Sequence, residues 1–157
     1  MNRILVTGGA GFIGSNFIHY CLNKNDKILN FDTLTYAGNL DNLTSVMDNP
    51  DFSFIKGNIC DKTLLDKCLR DFNPEYVINF AAETHVDRSI DEPGNFINTN
   101  VIGTYQLLSS CLQYYLNIKD NNHKKKFTLL HISTDEVYGS LGVEGYFNEN
   151  SNYNPNS

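Results

Sequence analysis

No window of this chain approaches the ~20 consecutive apolar residues that a membrane-spanning helix needs. The first 25 residues have no secretory leader pattern, because their apolar run is short and broken by glycines. A membrane is therefore not an expected partner, and the cytoplasm is the expected location. None of the four cysteines forms a C-x-x-C pair or has metal-ligand spacing, so no zinc site is expected and no metal is assigned. Cys21, Cys68 and Cys111 fall in apolar helical stretches and read as small core residues; with Cys60 they suit a reducing compartment. Positive charge is also scarce, with 12 Lys and Arg against 18 Asp and Glu and a net charge of -6. No basic face is available to meet phosphates, so no nucleic-acid partner is expected. The one basic run, Lys124-Lys125-Lys126, lies in a polar stretch, 120–126, that reads as a solvated loop. There is no internal repeat and no sign of a second domain. The 157 residues, 41% hydrophobic and 19% charged, suit one globular domain with a real core.

What is present is an alternation of strand and helix patterns. Apolar runs at 4–6, 27–31, 52–56, 76–80 and 127–132 read as five strands. Helical spacing marks 12–23, a stretch after the N-cap Asp61, and 94–118. In the last, Ile97, Val101, Tyr105, Leu108, Leu112 and Tyr115 form one wide apolar face. Strands separated by helices imply crossovers and a parallel sheet. The expected fold is α/β, a Rossmann-type doubly wound sheet of order 3-2-1-4-5. Gly8, Gly11 and Gly14 sit where the first strand passes into the first helix. In that context the spacing predicts dinucleotide binding: Gly8 allows the tight turn, Gly11 the approach of a pyrophosphate, and Gly14 close helix–strand packing. The helix N-terminus then favours the anion.

Ligands of such sheets lie beyond the carboxyl ends of the strands, which selects the turns at 7–14, 32–35, 80–89 and 133–139. Asp32 ends strand two, where a carboxylate can accept from an adenosine ribose or cap a turn. No Lys or Arg lies between 28 and 55 to neutralise a 2′-phosphate, which favours NAD over NADP. Ala81 and Ala82 are small enough to admit a cofactor backbone, and equally suit close strand–helix packing. His85, Asp87, Arg88 and Ser89 read as a substrate loop or a surface loop. Asp135 and Glu136 suggest acid–base work, with one acid donating while its neighbour accepts; alternatively Asp135 caps a turn.

Taken together, the segments Thr7-Gly8-Gly9-Ala10-Gly11-Phe12-Ile13-Gly14, Asp32, Leu34 to Asn39, Ala81 to Ser89 and Ser133 to Gly139 resemble the extended short-chain dehydrogenase/reductases. Within them the resemblance is to the dTDP-glucose 4,6-dehydratases. It implies that Glu136 takes the C5 proton of a 4-keto sugar, that Asp135 protonates the departing C6 hydroxyl, and that Thr134 bonds near the C4 oxygen. It further implies NAD contacts at Phe12, Ile13, Asp32, Thr33, Leu34, Thr35, Asn58, Ile59, Phe80, Ala81, Ala82, Glu83, Thr84 and Thr99. Thr84, His85 and Thr134 would meet the dTDP-glucose. Asn58 stands where the family commonly has an aspartate for the adenine amino group. A UDP-sugar dehydratase, a 4-epimerase and a non-catalytic NAD-binding module are the alternatives.

The family's Tyr-x-x-x-Lys motif finds no match here, since Tyr153 is followed at 157 by Ser. A family chain is about twice as long and ends in a sugar-nucleotide domain. The resemblance therefore implies that residues 1–157 are an incomplete NAD-binding domain, inactive alone, whose parent is a homodimer. It also implies that strand five is left as an edge.

Overall fold

The computed structural model describes residues 1–156, so Ser157 and the motif comparison that rests on it lie outside the described residues. Five parallel strands form one sheet of order β3-β2-β1-β4-β5, the predicted order. They are β1 (Arg3–Thr7), β2 (Lys27–Asp32), β3 (Phe52–Lys56), β4 (Tyr76–Asn79) and β5 (Thr128–His131). Leu5 is in register with Leu29 on one side and Val77 on the other. Side chains alternate across a strand, and two cores result. Ile4, Val6, Ile28 and Ile78 pack with Ile18 of α1 (Phe12–Leu22). Leu5, Leu29, Phe31 and Val77 face the other way, onto Leu65 and Leu69 of α2 (Lys62–Phe72) and Leu107 of α5 (Thr104–Asn117). Burial on both faces explains why these strands read as continuous apolar runs.

Local chemistry sets the helix ends. Asp61 accepts from the Leu64 N–H at 3.0 Å and starts α2, and Asn73, in the left-handed region at φ 52, ends it. Burial pushes the Cys111 thiol up to about 12 and the Cys21 thiol up to about 11. Both stay protonated at neutral pH and act as the small core residues expected of them.

Two features depart from the sequence-based expectations. Residues 120–126 are not a loop, because Asn121–Lys126 is a short helix, α6. Asp120 caps it by accepting from the His123 N–H at 2.6 Å, and His123 docks on the Pro74 carbonyl at 2.8 Å. Lys126 pairs with Glu75 at 3.0 Å, so the basic run is tied down at its end. Six polar residues carry no apolar period, and only the cap could have revealed this helix. Secondly, the helix expected over 94–118 forms, running from Pro93 to Asn117, but it is not α-helical throughout. Short helices α3 (Val86–Asp91) and α4 (Pro93–Phe96) lead into a π-helical stretch, Ile97–Gly103, before α5. The apolar stripe of this helix turns away from the sheet. Tyr105 is 63% exposed and Leu112 55%, whereas Leu107, Ser110 and Cys111 are buried. Small side chains at Ser110 and Cys111 let the helix approach closely, so the narrower face is the inner one. β5 is an edge strand among the described residues, and Leu130 on it is exposed.

Candidate functional site

Beyond the carboxyl ends of β1 and its two neighbours lies a cavity of about 690 Å³. Polar bonds between strands hold this end of the sheet. The Thr7 hydroxyl donates to Asn79 Oδ1, which also accepts from the Ala81 N–H at 3.2 Å. Asn79 Nδ2 reaches His131 Nδ1 at 2.9 Å, which gives the one polar side chain of the fifth apolar run a structural role.

Gly8, Gly11, Phe12, Ile13 and Gly14 form one wall of the cavity, and the three glycines differ in what confines them. Gly8 has φ +72, and a Cβ there would lie 2.5 Å from the Ala81 nitrogen. At Gly14 a Cβ would lie 2.4 Å from the Gly8 carbonyl oxygen. The protein's own backbone therefore requires both. At Gly11 a Cβ would find nothing of the protein nearer than 3.4 Å. The open space beside Gly11 belongs to the cavity, as a position reserved for a closely approaching ligand would show. No side chain caps α1, whose N-cap is Gly11, whereas aspartates cap α2 and α6. Its first turn is thus without a capping side chain, the condition under which a helix N-terminus can take an anion. Phe12 and Ile13 are 82% and 63% exposed, which offers apolar surface to the same cavity.

Asp32 is buried and doubly engaged. Oδ2 accepts from the Ala10 N–H at 2.9 Å and Oδ1 from the Leu34 N–H at 2.8 Å. It joins the glycine turn to the segment after β2 and still lines the cavity, where a carboxylate's remaining lone pairs can take ribose hydroxyls. Thr33 and Thr35 line it too, while Leu34, at φ 57, packs against the core beneath. Asn58 and Ile59 join from the end of β3, and Phe80 to Thr84 from the end of β4. Asn58 Oδ1 accepts from the Cys60 N–H at 2.8 Å and keeps one lone pair free for a further donor. The π-helical stretch contributes Thr99, and Asn100 clamps Glu83 through both of its backbone groups at 2.8 Å. Wide helical turns of this kind recur at functional sites.

The structure does not bring every expected residue to this cavity. Thr134, Asp135 and Glu136 lie outside its walls, as does His85. Asp135–Tyr138 is a 3₁₀ turn, and Thr134 rather than Asp135 caps it, its hydroxyl accepting from the Glu136 N–H at 3.2 Å. Ser133 and Val137 line a second cavity of about 300 Å³ with Tyr153 and Pro155, and both acids are exposed. Conversely, Tyr36, Gly38, Arg88 and Asn98 line the main cavity without having been assigned there. The first three stand in segments already singled out by their motifs; for Asn98 the sequence carries no signal.

Known proteins resemble this chain in sequence and fold. The family described as GDP-mannose 4,6 dehydratase matches residues 5–157. A protein of Sinorhizobium fredii named probable dTDP-glucose 4,6-dehydratase is 50% identical over 155 residues, which are 99% of this chain and 44% of that protein. The crystal structure of dTDP-glucose 4,6-dehydratase from Bacillus anthracis in complex with NAD is 45% identical with a TM-score of 0.83, covering 100% of this chain and 45% of that one. UDP-glucose 4-epimerase from Thermus thermophilus, also in complex with NAD, is 27% identical with a TM-score of 0.81, over 99% and 45% of the two chains. The chain thus spans under half the length of the relatives it matches.

Proposed function

The chain belongs to the GDP-mannose 4,6 dehydratase family, and from that premise we propose that it is the NAD-binding part of a dTDP-glucose 4,6-dehydratase. The observation that carries the cofactor reading is the open space at Gly11, set against the uncapped N-terminus of α1. When bound, NAD would supply a reversible acceptor for hydride. The chain's own residues do the rest. First-turn N–H groups of α1 hold the diphosphate, Asp32 accepts from the adenosine ribose, and the amide oxygen of Asn58 accepts from the adenine. Glu136 takes the C5 proton of the oxidised sugar and Asp135 gives a proton to the C6 oxygen, so that water leaves. Thr134 holds both acids by capping their turn and bonds the sugar.

The higher identity to the dehydratase than to the epimerase supports elimination, and so does the acid pair. A non-catalytic NAD-binding module is the second reading, favoured by the position of Asp135 and Glu136 outside the main cavity. Calorimetric titration with NAD and NADP tests the cofactor: one saturable site for NAD and at least tenfold weaker NADP are expected, and absent heat with NAD ends the reading. Offering dTDP-glucose and UDP-glucose to the protein that carries this chain, and assaying the 4-keto-6-deoxy product, separates the enzyme from the module.

The outward face shared by the π-helical stretch and α5, with Val101, Tyr105, Leu108 and Leu112 exposed, is where we place the contact with a second copy. A continuous apolar face of this kind marks an interface. Sedimentation velocity should show a dimer that Leu112→Lys dissociates; a monomer before substitution removes this assignment.

A further inference from the structure

Resting on the dinucleotide reading, a contact across the mouth of the cavity carries a further consequence. The Arg88 guanidinium carbon lies 3.9 Å from the centre of the Tyr36 ring, and His85 meets the same ring edge-on at 6.4 Å. Tyr36 stands in the segment after β2, and Arg88 in α3, after β4. β2 and β4 flank β1 on opposite sides. A contact between the segment beyond β2 and the segment beyond β4 must therefore cross over the turn at the end of β1, the glycine turn. Both residues line the cavity.

The two supports of this bridge are anchored and its tips are exposed. The Ala10 carbonyl of the glycine turn accepts from the Asn39 N–H at 3.1 Å and from Asn42 Nδ2 at 2.9 Å, which fixes the base of the Tyr36 segment. On the other side Asn100 holds Glu83. Tyr36 is 47% exposed, and Arg88 is exposed as well. Among the described residues Arg88 is the one cation lining the cavity, and it has no carboxylate partner within ion-pair distance. Its face is taken by the ring, and the N–H groups along its edge stay available to an anion beneath.

We propose that Arg88 and Tyr36 form a clasp over the glycine turn whose opening governs how fast the dinucleotide leaves. A hydride acceptor that must be restored within one turnover has to remain bound between steps, and a contact spanning the cleft provides that retention without touching the reacting carbons. Arg88 and Tyr36 are then positioning residues that act through each other.

The test is the rate at which excess NAD displaces NADH from the 157-residue chain, followed by NADH fluorescence. Arg88→Ala and Tyr36→Ala should each speed displacement about three- to fivefold, the amount a cation–π contact at an exposed site can supply. The double substitution should be no faster than the faster single one. Tyr36→Phe keeps the ring and should leave the rate unchanged, and all variants should keep the thermal midpoint because both side chains are exposed. Unchanged rates in both alanine variants, or a Tyr36→Phe rate as fast as Tyr36→Ala, would overturn the clasp. Failure of the unsubstituted chain to take up NADH would instead overturn the dinucleotide reading, and the clasp with it.

Discussion

Gly8→Ala is expected to lower the thermal midpoint by on the order of 10 °C and to abolish NADH binding, whereas Gly11→Ala should abolish binding with a midpoint nearly unchanged. The difference lies in what each Cβ would meet. At residue 8 it would lie 2.5 Å from the Ala81 nitrogen and 2.7 Å from the Phe80 carbonyl carbon, both backbone atoms. Backbone cannot swing aside as a flexible side chain does. β1 and β4 would have to separate at their carboxyl ends, where the Phe80 N–H donates to the Thr7 carbonyl at 2.9 Å. The left-handed backbone at φ +72 adds roughly 1–2 kcal/mol for any residue with a Cβ. Together these losses come to about 3 kcal/mol or more, which for a domain of this size shifts the midpoint by about 10 °C. At residue 11 the nearest protein atom would be 3.4 Å away, an ordinary contact. The added methyl there occupies only cavity space, which the proposed function gives to the diphosphate. Thermal melts by circular dichroism and NADH fluorescence titration on the two variants decide the matter. If Gly11→Ala binds NADH as the unsubstituted chain does, the space beside Gly11 is not the diphosphate position.

Those parts of the molecule that were legible in the sequence are the ones where a single local rule operates. Strand order could be read from the strand–helix alternation once the glycine turn marked strand one, because buried parallel strands leave apolar runs whose bounds are easily read. Asp61 was legible as a cap because its side chain acts three residues away. The roles of Gly8 and Gly14 were legible because each answers to a steric demand of the chain's own backbone. Less was legible where tertiary contacts override period. The stripe Ile97–Val101–Tyr105–Leu108–Leu112 is the stronger apolar face of its helix, yet Ser110 and Cys111 lie on the inner side, since close approach to α2 selects small side chains over large ones. Helix α6 has no apolar period at all and rests on Asp120, His123 and the Lys126–Glu75 pair. Arg88 and Tyr36 illustrate a third case. Their segments were conspicuous, but only the placement of β2 and β4 on either side of β1 shows that they meet.

Glu136→Gln, in the protein that carries this chain, is expected to lower kcat for dehydration by roughly a hundred- to ten-thousandfold, the usual worth of a positioned general base. NADH binding should be unchanged, because the turn holding Glu136 does not line the main cavity. Asp135→Asn should lower kcat comparably, since proton donation to the C6 oxygen fails while removal of the C5 proton still goes on. Solvent exchange at C5 should therefore persist in Asp135→Asn and disappear in Glu136→Gln. The geometry of the turn makes this division of labour reasonable. Asp135–Tyr138 is a 3₁₀ turn with about three residues per revolution, so successive side chains diverge by about 120°. Two acids that diverge in this way can meet adjacent carbons of one sugar from different directions, which a parallel pair could not do. Thr134 ties the arrangement together by accepting from the Glu136 N–H, and a hydroxyl kept in Thr134→Ser should preserve most of the rate. Full activity in Glu136→Gln, or a loss of NADH binding that tracks the loss of rate, would remove the acid pair from the chemistry and leave the binding-module reading in its place.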